Sequence, residues 1–192
     1  MINKLIFLLK IVFTFFFTVN YSFANLQDNI LEKFISTKTL SFSFIQKIGQ
    51  NEEMGNCFIK YPLLMKCNYQ NAKEKILISN GKTLAIIKKK YKKIYYYPLE
   101  STPLFIILEK KIIINLIKKN KPIAISKDII EFNFIDKKEN EIKIFFDRKS
   151  LEFKGWETRD VYNNDVSFII SNLKTNHQII DDFFKIPKEN EL

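Results

Sequence analysis

Arginine and histidine are nearly missing from this sequence. Of its 31 basic residues only Arg148 and Arg159 are arginine, and His177 is the single histidine. Proteins that read phosphates and bases lean on the bidentate guanidinium. The formal charge of +10, carried almost wholly by lysine, is therefore weak support for nucleic acid, and a coding bias towards Lys, Ile, Asn and Phe accounts for it. One histidine excludes a His-rich metal site and leaves little room for Ser-His-Asp chemistry. Glycine and proline are scarce, at four and five in 192 residues. That excludes collagen-like and low-complexity chains and Gly-rich phosphate cradles. No nucleophile elbow or zinc spacing occurs. Asp160 and Asp165 flank Asn163-Asn164 without the glycine and distal Glu of a calcium loop, so they read as a turn. Asp181-Asp182 reads as a helix N-cap before Phe183 and not as a catalytic pair, and His177 reads as a surface residue at a strand end. No residue presents itself as catalytic, and no metal, cofactor or nucleic acid is expected.

What the sequence does have begins with an address. Lys4 opens the chain, Leu5 to Val19 is an apolar run broken by Lys10 and two Thr, and Ser22-Phe23-Ala24 offers small residues at −3 and −1. This is the pattern of a secretory signal peptide cleaved after Ala24. After Lys10 about nine apolar residues remain, too few for the ~20 that a spanning helix needs. Residues 1–24 are thus assigned as signal peptide and 25–192 as a single domain of 168 residues. No Cys follows the cleavage point, so the exported chain is not expected to be a lipoprotein. Loss of Lys4 and Lys10 lowers its charge from +10 to +8.

Periodicity then sets the architecture. Leu26, Ile30, Leu31 and Phe34 share one face of a helix across Asn25 to Ser36. The period then drops to two from Leu40 to Gln46. Short strands follow at Gly55–Tyr61, Leu64–Tyr69, Lys75–Ser79, Thr83–Lys88 and Tyr91–Tyr97, with Asn80-Gly81 as the clearest hairpin turn. Thr102 and Pro103 predict a helix start, Thr102 as N-cap and Pro103 at the first position, with Leu104, Ile107 and Leu108 on its apolar stripe. Lys111 to Ile117 either continues that helix or begins another. A second run of strands occupies Ile129–Ile135, Glu141–Asp147, Leu151–Arg159 and Asp165–Leu173. About ten hairpin-linked strands with two helices inserted predict a mainly β protein, one antiparallel sheet that curls strongly. Its concave face must be filled by side chains, helices or a ligand.

Cys57 and Cys67 each lie five residues from Pro62. In a hairpin about that point, opposed residues have numbers that sum to 124, so the two cysteines face each other within disulfide range. They form either a structural disulfide, suited to an exported chain, or a pair of buried thiols.

The order of these features resembles the periplasmic lipoprotein carrier (LolA) family. Phe44-Ile45-Gln46-Lys47 is similar to its F-x-Q segment, and Gly55 to Pro62 to its G-x-x-x-h-x-R-P strand and turn. Ile76-Leu77-Ile78-Ser79-Asn80-Gly81-Lys82-Thr83-Leu84 resembles its I-L-V-S-D-G-K-x-L hairpin. Pro98-Leu99 and Ser101-Thr102-Pro103-Leu104 resemble its P-L…T-P segment, and Asp182 to Pro187 its F-x-F ending. The resemblance implies an incomplete barrel of about 11 strands with a helical lid over an apolar cavity. It also implies a non-enzymatic carrier that takes acylated lipoproteins from an inner-membrane ATP-driven releasing complex to an outer-membrane receptor. The alternative is a sensor or receptor with the same half-barrel that binds lipidated ligand without ferrying it. The absent lipobox Cys and the chain's end soon after Pro187 weigh against that alternative, and an exported hydrolase is the remote third reading. A monomer is expected.

The acyl-chain cavity is assigned to Ile59, Met65, Leu77, Leu104, Ile107 and Leu108. Two positions depart from the family pattern. Tyr61 stands where the family has the Arg that holds the lid, which makes the Tyr61 hydroxyl the candidate lid latch. The aromatic positions after that turn fall on Met65 and Cys67, which predicts a less aromatic cavity floor.

Overall fold

The computed structural model describes residues 26–71, 74–135, 141–159 and 163–192. The signal-peptide assignment falls on residues outside this set, as does Asp160. Eleven strands form one sheet in the spatial order β6-β5-β4-β3-β2-β1-β11-β10-β9-β8-β7, every neighbouring pair antiparallel. The first meander comprises β1 (Thr39–Ile48), β2 (Asn51–Lys60), β3 (Leu64–Tyr69), β4 (Lys75–Asn80), β5 (Thr83–Lys88) and β6 (Lys93–Pro98). The second comprises β7 (Ala124–Ile125), β8 (Ile129–Ile135), β9 (Glu141–Asp147), β10 (Phe153–Arg159) and β11 (Asp165–Thr175). The β1–β11 pairing joins the meanders, and β6 and β7 remain free edges, so the sheet does not close into a barrel.

Among the described residues three α-helices complete the fold: α1 (26–36), α2 (Leu104–Leu108) and α3 (Lys110–Lys119). Helix α1 buries Ile30, Leu31 and Phe34, the face that its periodicity predicts. Helices α2 and α3 are separate elements. Glu109 leaves helical geometry at φ −83°, ψ 88°, and its carboxylate accepts from the Lys111 N–H at 3.2 Å, so it ends one helix and caps the next.

Several local expectations need correction. Strand β2 begins at Asn51, four residues earlier than the alternation suggests, because a tight turn at Gly49 (φ +55°) pairs Ile48 with Asn51. Strand β6 starts at Lys93, after a 3₁₀ turn over Lys89–Tyr91. Thr102 does not cap α2 with its side chain; its Oγ1 donates to the Leu99 carbonyl at 2.8 Å. Asp181 does not cap the turn at Asp181–Phe184. Its carboxylate pairs with Lys60 Nζ at 2.5 Å. His177 is half-buried, and its ring nitrogens lie out of solvent without hydrogen-bond partners among the described residues.

The C-terminal segment lies across the outer face of β2–β6. Phe183 packs edge-on against Phe58 at 5.1 Å. Ile186 and Leu192 pack on the cluster of Ile78, Ala85, Ile87 and Ile94. The buried apolar residues of the inner face, by contrast, belong to one larger cluster shared with the helices.

Candidate functional site: a helix-covered concave face

Strand parity builds the concave face. The ladder Phe44–Gly55–Tyr69, with Phe42–Cys57–Cys67–Leu77 and Leu40–Ile59–Met65 beside it, puts these residues on one side of four strands. Cys57 and Cys67 are directly paired, as the hairpin arithmetic requires, and of the two alternatives they form the disulfide. Gly55 is where the backbone needs room: a Cβ there would sit 2.2 Å from the Asn68 carbonyl oxygen and 2.7 Å from the Phe44 ring. The Phe44 ring lies over the vacant position and stacks on Phe168 at 4.5 Å.

The six residues assigned to the acyl cavity belong to this cluster. Ile59, Met65, Ile107 and Leu108 are at most 2% exposed, while Leu77 and Leu104 are half-buried and packed against it. Helices α2 and α3 are therefore seated directly on the strands.

The other half of the face carries the rings that the sequence reading passed over. From β8 to β3 runs a chain of contacts: Phe132 to Phe146 (5.9 Å), Phe146 to Phe153 (5.9 Å), Phe153 to Trp156 (5.9 Å), Trp156 to Phe168 (4.1 Å), Phe168 to Phe44, and Phe44 to Tyr69 (4.9 Å). Phe34 of α1 drops onto Phe146 and Phe153. The expected loss of aromatic character is confined to the disulfide hairpin; the floor as a whole is strongly aromatic. The signal was present in Phe132-x-Phe134 and Ile144-x-Phe146, which alternate on one face, but nothing in the period says which face the helices cover.

Among the described residues few polar contacts hold α2 and α3 in place, while α1 is also tied to the sheet by Lys33, which donates to the Ser150 carbonyl and pairs with Glu152. Lys110 at the start of α3 donates to the Ile35 and Thr37 carbonyls at 2.6 and 2.5 Å, at the C-terminal end of α1. At the other end, Gln27 Nε2 donates to the Ile117 and Asn120 carbonyls. These ties run α1 and α3 antiparallel, side by side. Burial, with the Lys38 charge adding to it, pulls the Lys110 ammonium below its usual pKa. The third tie is backbone: the Leu63 N–H donates to the Leu108 carbonyl at 3.1 Å, and the Leu63 carbonyl accepts from Ser79 Oγ at 2.6 Å.

Tyr61 contributes no polar tie. Its hydroxyl is shut off from solvent and has no hydrogen-bond partner among the described residues. The ring packs edge-on against Phe34 at 5.7 Å, with Lys110 Nζ 5.6 Å from its centre. Burial raises the phenol pKa well above its usual value. The latch expectation is corrected accordingly: the turn holds α2 through the Leu63 amide, and Tyr61 fills space. Among the described residues no group of carboxylates, cysteines or histidine could hold a metal ion.

An open, strongly curved antiparallel sheet whose apolar inner face is covered by helices defines a half-barrel binding architecture. The sequence profile described as "Outer membrane lipoprotein carrier protein LolA" matches residues 35–187, and the chain belongs to this family. Its proteins are periplasmic binding and carrier proteins, and the Cys57–Cys67 disulfide fits an oxidising compartment. A comparison with curated protein sequences returns no significant match. Among solved structures, an uncharacterized conserved protein from Thermus thermophilus is similar at TM-score 0.50 and 7% identity, over 86% of this chain and 94% of that one. MucB is similar at TM-score 0.50 and 7% identity, over 88% of this chain and 64% of MucB. A LolA superfamily protein from Nitrosomonas europaea aligns at TM-score 0.42 and 10% identity, over 83% and 97%. At these identities the likeness is one of fold.

Proposed function

We propose that this protein is a periplasmic carrier. Exported by the signal peptide over residues 1–24, it takes the acyl chains of lipoproteins from an ATP-driven inner-membrane complex and passes them to an outer-membrane receptor. The observation that carries this reading is the continuous apolar inner face beneath α2 and α3, which three polar ties hold among the described residues. Free-energy magnitudes support it. An acyl chain of about 15 methylene groups, at ~0.8 kcal/mol each, brings roughly 12 kcal/mol of transfer free energy. Lifting Leu104, Ile107, Leu108 and Ile113 off the strands exposes four side chains at about 1.5–3 kcal/mol each, roughly 6–12 kcal/mol. One chain therefore matches the helices it displaces, and a second tips the balance. Uptake by exchange, acyl groups taking the places of α2 and α3 side chains against the same rings, needs no catalytic group.

Depleting the protein and fractionating the membranes tests the proposal. A carrier's loss strands lipoproteins in the inner membrane. Lipoproteins that still reach the outer membrane would overturn the carrier reading in favour of a sensor or receptor on the same half-barrel.

A further inference from the structure

The β6 edge is rich in lysine along the sequence, and among the described residues the one carboxylate bonded to its backbone is that of Glu189. From Lys75 to Leu99 the sequence contains seven lysines and no acidic residue. Five of these lysines fall between 88 and 93, in the 3₁₀ turn and at its borders. None of the five pairs with a carboxylate among the described residues. Beside them Tyr95, Tyr96 and Tyr97 are 43%, 56% and 44% exposed, and Lys88 Nζ lies 5.0 Å from the Tyr95 ring. Three consecutive exposed tyrosines on an edge strand point alternately to the two faces of the sheet, so an object that meets the sheet edge-on touches all three.

The edge is not built to accept another strand. The Ile94 N–H is already taken by Glu189 Oε1 at 3.1 Å, and Pro98 has no N–H to offer. Beside the Tyr96 backbone, what the edge offers is side-chain chemistry: amphipathic rings with polar tips, ringed by flexible ammonium groups. Rings of this kind settle at the headgroup level of a bilayer, and clustered lysines are drawn to anionic lipid. The position also has a use. On the inner face, Tyr95 and Tyr97 lie beside Leu84 and Ile86, and Ile86 pairs with Leu77. The edge thus leads from the surface onto the apolar wall.

We infer that the β6 edge, with the lysines of residues 88–93 and Tyr95–Tyr97, is a docking surface for anionic phospholipid headgroups at a membrane. The inference goes beyond the carrier reading and stands whether or not the concave face takes acyl chains.

Vesicle co-flotation of the protein purified from the soluble periplasmic fraction tests it. Binding is expected to phosphatidylcholine vesicles containing about 30% phosphatidylglycerol at low salt, with at least tenfold less to phosphatidylcholine alone, and to weaken as salt rises. Lys89→Gln/Lys90→Gln/Lys92→Gln, placed outside the sheet where folding is little affected, should lower binding at least tenfold. Tyr96→Ser should lower what persists at high salt. Lys118→Gln/Lys119→Gln/Lys121→Gln, an equal charge change on α3 and the residues just after it, should leave binding within twofold of the parent. No preference for anionic vesicles, or equal loss from both lysine triples, would overturn the proposal: the first would leave an acidic protein as the partner to seek, the second only the net charge.

Discussion

Replacing Tyr61 by Phe removes one oxygen atom, and the structure fixes the sign of the outcome. The hydroxyl is out of solvent and unpartnered, so folding strips its hydration and returns nothing. A buried donor left unmade costs about 1–3 kcal/mol, and the ring contacts with Phe34 and Lys110 survive in Phe. The variant should therefore be more stable by about 1–2 kcal/mol. At roughly 2–4 °C per kcal/mol for a domain of this size, the melting temperature should rise by about 2–8 °C. A hydroxyl acting as latch would give the opposite sign, a loss of about 0.5–1.5 kcal/mol. Urea unfolding at neutral pH, read by the fluorescence of the only tryptophan, Trp156, separates the two. A Tyr61→Phe protein less stable than the parent by about 0.5 kcal/mol or more would refute the reasoning and restore the latch.

Other outcomes follow from the same contacts. Leu108 is fully buried, so Leu108→Ala should cost about 2–5 kcal/mol; hydrogen exchange should rise more at the Leu63 amide and along α2 than in the central β1–β11 pair. Gly55→Ala drives a Cβ into the Asn68 carbonyl and the Phe44 ring and should cost at least about 1–3 kcal/mol, seen as a lower urea midpoint. Alkaline pH should be destabilising: burial, for Tyr69 reinforced by the Glu53 charge, raises the folded pKa of Tyr61 and Tyr69 above the unfolded value near 10. That contribution is whole below pH ~10 and is lost as pH climbs through the folded pKa, so a pH series of urea midpoints should fall there, and fall less in Tyr61→Phe.

The period-two segments were legible because half-buried strands alternate visibly, and the Cys pair because hairpin register is arithmetic. The start of β2 was not, since Asn51 and Glu52 are exposed and the residues up to Met54 carry no apolar alternation. Strand β7 is two residues long and has no pattern to read. Of the site, the aliphatic residues under α2 were found because helix and strand periods both pointed at them. The aromatic ladder was passed over because a period assigns residues to a shared face without saying what lies on it. The ties that hold the helices escaped for a different reason: two of the three end on backbone carbonyls 73–93 residues away in sequence, and the third is an amide, which no side-chain pattern records.

Trp156 makes the central claim directly measurable. It is 4% exposed and lies stacked between Phe153 and Phe168 on the concave face. A fatty acid brominated along its chain quenches an indole only on close approach. Titration into the purified protein should quench Trp156 saturably, competed by a triacylated lipopeptide and weakened by Leu77→Glu with the melting temperature little changed. Quenching that never saturates, or that the lipopeptide fails to compete, would contradict an acyl-binding concave face.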